Sequence, residues 1–196
     1  MNNHTSNIAA INDAWLNINV DESKIVNPFS LPTEEEFTTK LTWLMTNPDY
    51  FSFLCKELLN IEILPTQALM LKEMWNRKFP MLIASRGFGK SYILSVYAVL
   101  RALLMPGRKV IIVGAAFRQS KVLFEYMDGI WRNSPLLRDI VGGNGGPRRG
   151  VDMCRLTIGD STVTCLPLGD GSKIRGQRAN DIIADEFASI PREIFE

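Results

Sequence analysis

Residues 84–91 read Ala84-Ser85-Arg86-Gly87-Phe88-Gly89-Lys90-Ser91. This run follows an apolar segment, residues 81–84, that we predict to be a β-strand, and it precedes a helical pattern over residues 92–104. A strand, a glycine turn and a helix start form the context that a phosphate-binding loop requires. The usual pattern, G-x-x-x-x-G-K-[ST], begins with glycine, and Ala84 occupies that place here. The alternative interpretation is a chance Gly-Lys-Ser within an ordinary loop.

The residues of this loop have chemistry that suits a nucleotide. Backbone N–H groups at a helix N-terminus attract an anion, and the helix dipole adds to that attraction. In such a loop Lys90 reaches the β- and γ-phosphates of ATP, and the Ser91 hydroxyl ligates Mg²⁺. The remaining cradle residues are predicted to be Ser85, Arg86, Gly87, Phe88 and Gly89.

A second motif lies roughly a hundred residues downstream, where the apolar run Ile182-Ile183-Ala184 ends in Asp185-Glu186. The acid at a strand tip can hold Mg²⁺, and the next acid can orient a water for attack on the γ-phosphate. A solvated strand end gives the same pattern by itself. Together with an upstream phosphate loop, the pair indicates an ATPase with Asp185 as metal ligand and Glu186 as the catalytic glutamate that activates water.

A glutamine and several arginines complete the candidate site. Gln67 can select adenine, because its amide both donates and accepts hydrogen bonds, although it also fits an ordinary helix start. Phosphoryl transfer needs added positive charge, which Arg86, Arg175 or Arg178 can supply. For the remaining candidates, Arg108, Arg132 and Arg192, we expect only a contribution to surface solubility.

The order of apolar patterns predicts an α/β fold, with a parallel sheet flanked by helices and a helical, partly disordered N-terminal region over residues 1–60. The ATPase domain is assigned to residues 61–196. The first predicted helix begins near Thr33, with Glu36 completing a capping box. Further helices are predicted over residues 49–60, 65–76, 89–104 and 117–131. The predicted strands are 109–114 and 181–185, with a hairpin of 154–158 and 161–166. Residues 1–30 are expected to be weakly ordered, and the glycine-rich residues 141–150 to form a mobile loop.

Composition excludes several classes of protein. The cysteines Cys55, Cys154 and Cys165 are far apart and the one histidine is His4, so we expect no zinc site. No signal peptide or membrane-spanning run is evident, which favours the cytosol. Residues 1–64 carry three basic and nine acidic side chains, whereas residues 65–196 carry nineteen and twelve. The net charges are therefore −6 and +7, and the positive part suits a polyanion.

The phosphate loop with its internal Arg86 resembles that of the large terminase subunits of tailed bacteriophages. The segment Ser172-Lys173-Ile174-Arg175-Gly176, followed by residues 181–188, is similar to the approach to their second acidic motif. The stretch from Leu64 to Gln67 resembles their adenine-recognition element. The similarity covers roughly residues 60–190.

This resemblance implies a P-loop NTPase of the RecA-like (ASCE) type that uses ATP and Mg²⁺ to drive double-stranded DNA into a procapsid. Lys90 and Ser91 then hold phosphate and metal, Asp185 holds the metal, and Glu186 activates water. Arg86 acts on the γ-phosphate within its subunit, and Arg175 matches an arginine finger for a neighbouring subunit. The implied partners are DNA, the portal protein, the small terminase subunit and further copies in a ring, usually of five. The implied location is the cytoplasm of the infected bacterial host, at the procapsid portal.

Other interpretations stay open. A large terminase continues beyond the acidic strand into further strands and a nuclease domain, so the resemblance implies that this chain is an incomplete fragment without the nuclease. A superfamily 2-like helicase or translocase also combines a glutamine, a phosphate loop and Asp-Glu, although Phe187-Ala188 here departs from the two residues that usually follow. A module that binds nucleotide without turnover is the third possibility.

Overall fold

The structure, a computed structural model, describes residues 33–114, 116–141, 145–168 and 176–190. Contacts within the chain define two compact units, residues 1–40 and 41–196. The predicted weak order of residues 1–30 falls outside the described residues. The helices are α1 (Glu34–Thr46), α2 (Phe51–Leu59), α3 (Pro65–Asn76), α4 (Lys90–Leu104), α5 (Phe117–Asn133) and α6 (Pro135–Val141), with 3₁₀ turns at Pro48–Tyr50 and Phe187–Ser189.

The predicted capping box at the start of α1 is confirmed. Thr33 Oγ1 accepts the Glu36 N–H at 3.2 Å, and Glu36 Oε2 accepts the Thr33 N–H at 3.2 Å. The two side chains thereby satisfy backbone donors that have no partner within the helix. The helix predicted over residues 49–60 is in fact a 3₁₀ turn followed by α2, which ends at the left-handed residue Asn60.

The five described strands are β1 (Lys109–Gly114), β2 (Gly146–Arg149), β3 (Cys154–Ile158), β4 (Ser161–Pro167) and β5 (Asp181–Asp185). They form one sheet in the order β2-β3-β4-β1-β5. Strand β1 pairs in parallel with both β4 and β5, whereas β2, β3 and β4 pair antiparallel. The sheet is therefore mixed, and the prediction of a parallel sheet is wrong for its hairpin half. The predicted β3–β4 hairpin is confirmed.

The main hydrophobic core fills the space between one face of this sheet and the helices of the larger unit. Phe51 and Leu71 come from helices α2 and α3, while Ile93 and Phe124 come from α4 and α5, and all four are almost fully buried. Burying a side chain of this size contributes about 1.5–3 kcal/mol. A smaller apolar cluster covers part of the opposite face and contains Ile111, Val113, Leu166, Leu168 and Ile190.

Residues 81–84, predicted to be a strand, are not part of the sheet. A strand forms only where its backbone groups find a partner. Among the described residues β5 pairs with β1 alone, so residues 81–84 do not pair with it. Residues 81–84 therefore lack a described neighbouring strand, and Met81 and Ile83 are 80% and 85% exposed.

The prediction of a mobile loop over residues 141–150 is wrong for residues 146–149, which form β2. Pairing with β3 supplies the backbone hydrogen bonds, and this tertiary contact overrides the weak strand preference of Gly146 and Pro147. Residues 142–144 lie outside the described residues.

An ion-pair network lies at the start of β5, at the end of that strand opposite to Asp185. Arg108 donates from Nε to Asp181 Oδ2 at 2.6 Å, and Arg101 donates to Asp181 Oδ1 at 3.0 Å. The Arg101 guanidinium also stacks on the rings of Trp75 and Tyr97. Burial alone would raise the pKa of Asp181, but the hydrogen bonds from the two arginines outweigh it and lower that pKa. Arg108 is therefore a structural residue, and the expectation of a purely solubilising role is wrong.

Candidate functional site

The glycine loop leads directly into helix α4, which begins at Lys90. Gly87 and Gly89 have φ angles of 78° and 83°, in the left-handed region that glycine adopts at low cost. The chain therefore turns sharply just before the helix and leaves the first N–H groups of α4 facing the loop. A helix start of this kind attracts an anion.

The Lys90 side chain folds back over the loop. Its Nζ donates to the carbonyl oxygens of Ala84 at 2.8 Å and of Ser85 at 2.9 Å. These two bonds place a positive charge inside the loop, close to the helix N-terminus. An anion bound there would meet both the ammonium group and the backbone N–H groups.

Ser91 brings the loop into contact with the acidic strand. Its hydroxyl donates to Asp185 Oδ2 at 3.3 Å, although the two residues are 94 positions apart. Asp185 is only 8% exposed, and its Oδ1 accepts the Glu186 N–H at 3.1 Å. The two motifs predicted from the sequence thus form one site.

A hydroxyl and a carboxylate oxygen at this distance are hard donors that suit Mg²⁺. Over the described ranges, no group of three or more His, Cys, Asp or Glu side chains could hold a metal. Mg²⁺ keeps several waters and takes phosphate oxygens as ligands, so a hydroxyl and one carboxylate can suffice as its protein ligands. Ser91 and Asp185 are the residues that could hold it.

Glu186 lies just beyond β5 in a left-handed conformation, with φ 51° and ψ 46°. Its Oε2 accepts a hydrogen bond from the Gln119 side-chain amide. Gln119 lies near the start of α5, which follows β1, and β1 is paired with β5 so that Gly114 is opposite Asp185. Gln119 was not among the residues predicted from the sequence. The signal that could have found it is a polar residue shortly after a strand that neighbours the acidic strand.

Gln67 contacts the loop as well as its own helix. Its Oε1 accepts the Leu64 N–H at 3.0 Å, as the helix-start interpretation predicts. A Cβ added at Gly89 would lie 3.0 Å from Gln67 Nε2, so the amide packs directly against the glycine loop. Its position beside the loop is compatible with adenine recognition, which stays a prediction.

The arginines predicted for the site are not held against the loop and the acid pair by any contact described above. Arg86 lies on the exposed turn of the loop, beside the 42% exposed Phe88. Arg178 is exposed in the segment that leads into β5, while Arg175 and Arg192 lie outside the described residues. Arg132 donates to Asp128 at 2.9 Å and keeps two thirds of its side chain exposed. The structure therefore brings together the loop, Gln67, Asp185 and Glu186.

No protein-family model matches this chain, and no curated protein matches it. In the part of the chain that the structure describes, no helix is long and apolar enough to cross a membrane.

Proposed function

We propose that this chain has a P-loop NTPase fold and hydrolyses ATP as the motor subunit of a viral DNA-packaging machine. One observation carries the hydrolysis proposal: the contact between Ser91 Oγ and Asp185 Oδ2. A phosphate loop alone can only bind an anion. A loop in contact with an acid pair also has the groups needed to hold a metal and activate water.

Each described residue has a definite task in this proposal. Lys90 exchanges its two carbonyl partners for phosphate oxygens, and the loop N–H groups hold the remaining phosphate charge. Ser91 and Asp185 would hold Mg²⁺, which would supply positive charge to the phosphate groups. Glu186 accepts a hydrogen bond from the attacking water and orients it toward the γ-phosphate.

The arginines and Gln67 set charge and selectivity. Arg86, on the turn of the loop, stabilises the departing γ-phosphate within the subunit. Arg175 acts as a finger on the nucleotide of a neighbouring subunit. Gln67 binds the adenine edge, which its amide can both donate to and accept from.

The DNA-packaging part of the proposal is supported by the resemblance to large terminase subunits, above all by Arg86 within the loop and by the Arg175-Gly176 element. The positive net charge of residues 65–196 suits a polyanionic partner. The proposed partners are double-stranded DNA, a portal protein, a small terminase subunit and further copies in a ring of five. The proposed place of action is the procapsid portal in the cytoplasm of the infected bacterial host.

Two other functions compete. A superfamily 2-like helicase or translocase would use the same loop and acid pair, and DNA would stimulate its ATPase as well. Strand separation would occur only in the helicase. A binding module would hold nucleotide through Lys90 without turnover.

The test measures phosphate release and ATP binding by the purified chain and by its Lys90→Ala and Glu186→Gln variants. We expect both substitutions to lower turnover by about a hundredfold or more, since each removes a group that acts on the reacting phosphate or water. Glu186→Gln should still bind ATP, whereas Lys90→Ala should bind it weakly. The matched control is Lys56→Ala, which removes an exposed lysine whose ion pair with Glu62 spans 3.9 Å.

Three results separate the alternatives. Turnover that is unchanged in Lys90→Ala removes the loop from the mechanism and refutes the proposal. ATP binding that depends on Lys90, without any turnover, supports the binding module. Separation of a duplex by the active chain supports the helicase, and DNA uptake into procapsids supports the packaging motor.

A further inference from the structure

Gln119 is held by contacts on two sides. Its Oε1 accepts the Ala116 N–H at 3.0 Å, which fixes the orientation of the amide and turns its NH₂ group toward Glu186. Gly114 packs against it so closely that an added Cβ would lie 3.0 Å from the Gln119 Cβ and 3.3 Å from its Oε1. The amide donor is therefore built into the junction between β1 and α5.

We propose that Gln119 is a positioning residue for Glu186, an inference that rests on the proposed ATPase function. The Gln119 amide donates to Glu186 Oε2 and so fixes the rotation of the carboxylate. This leaves Oε1 as the oxygen that receives the hydrogen bond of the attacking water. The interaction also counters the freedom of Glu186, an exposed side chain that begins a short 3₁₀ turn.

The oxygen and the nitrogen of the Gln119 amide allow a positioning role to be distinguished from a structural one. The oxygen caps α5, and a glutamate can do the same because a carboxylate oxygen also accepts the Ala116 N–H. The nitrogen donates to Glu186, which a glutamate cannot do. The substitution Gln119→Glu therefore keeps the cap, removes the donor and places a like charge beside Glu186.

The experiment measures kcat and KM for ATP in the wild-type chain, Gln119→Glu and Gln119→Ala, with the melting temperature of each. We expect kcat to fall about tenfold or more in both variants, a part of the contribution that a general base makes. KM should stay unchanged, because Glu186 orients water and does not bind ATP. Only Gln119→Ala should lower the melting temperature, since it alone loses the cap.

Two further variants sharpen the test. Gly114→Ala leaves the amide intact but pushes a methyl group against it, and we expect it to lower kcat as Gln119→Ala does. In a Glu186→Ala chain, Gln119→Glu should cause no further loss, because no carboxylate remains to be positioned. Equal losses in both backgrounds would identify a structural role and overturn the inference.

Three other outcomes also test the inference about Gln119 or the proposed function on which it rests. If Gln119→Glu keeps the kcat of the wild-type chain, the inference is overturned. The proposed function is unaffected by that result as long as hydrolysis depends on Lys90. A raised kcat shows that Gln119 restrains Glu186 and likewise overturns positioning. A wild-type chain without Lys90-dependent hydrolysis refutes the proposed function, and the inference with it.

Discussion

Replacing Asp181 with asparagine tests whether the network at the start of β5 stabilises the fold. The substitution keeps the size of the side chain and removes its charge, so Arg101 and Arg108 lose the anion that they share. Asparagine can still accept one hydrogen bond through its carbonyl oxygen, but it cannot neutralise two guanidinium groups. We expect the folded state to be clearly destabilised.

The expected loss of unfolding free energy depends on how exposed the side chains of Asp181, Arg101 and Arg108 are. Asp181 and Arg101 are 13% and 12% exposed, and Arg108 is 28% exposed. Removing one partner of a fully buried pair costs about 3–5 kcal/mol, and an exposed pair is worth about 0–1 kcal/mol. Because water reaches Arg108, we expect Asp181→Asn to lower the free energy of unfolding by about 2–3 kcal/mol.

Urea denaturation followed by tryptophan fluorescence measures this loss, with Trp75 stacked on Arg101 as a local reporter. The pKa of Asp181 is lowered in the folded state, so its stabilisation is complete above about pH 5 and is lost as the pH falls through the lowered pKa. The difference between wild type and variant should therefore shrink in acid. The control Glu62→Gln removes an exposed charge and should change stability by less than about 0.5 kcal/mol.

A loss below about 1 kcal/mol at pH 7 would put the network in the class of surface ion pairs and refute the reasoning. A difference that stays constant down to pH 3 would show that the charge of Asp181 is not its source.

Two further predictions concern buried groups. The Ser134 hydroxyl donates to the Leu58 carbonyl at 2.6 Å and accepts the Leu137 N–H at 2.9 Å, so Ser134→Ala should cost about 1–3 kcal/mol in the same urea assay. An unchanged midpoint would contradict the role of this hydroxyl. Burial raises the pKa of Cys55 to about 12 and also raises that of Cys165. A thiol reagent at pH 8 should therefore modify these cysteines slowly in the folded chain and quickly after denaturation, whereas equal rates would show that the thiols are accessible.

Local patterns sufficed for much of this fold. The starts of α1 and α3, strands β1 and β5 and the β3–β4 hairpin were predicted from the sequence, because capping residues, prolines and apolar runs act over a few positions. The glycine loop and the acid pair were assigned to one candidate site from the sequence because each supplies part of the chemistry that ATP hydrolysis needs. The contact between Ser91 and Asp185 brings the two segments together.

Long-range pairing explains what the sequence did not reveal. Residues 81–84 have a strand-like pattern but lack a described partner strand, and residues 146–149 become a strand only through β3. Arg108 and Asp181 are 73 positions apart, and Gln119 and Glu186 are 67 apart. Such pairs depend on strand order and register, which the local patterns of a single sequence do not reveal.

The outer edge of β5 has a consequence for handling the protein. Over the described residues β5 pairs with β1 alone, and Ile182 is 65% exposed between the charged ends of the strand, Asp181 and Asp185. An open edge with an apolar centre offers unpaired backbone groups to any extended chain, and natural proteins usually protect such edges with lysine, proline or a covering segment. The central residues of β5 include neither lysine nor proline. Self-association through this edge would increase with protein concentration, so dilute solutions are the appropriate condition for the urea denaturation assays.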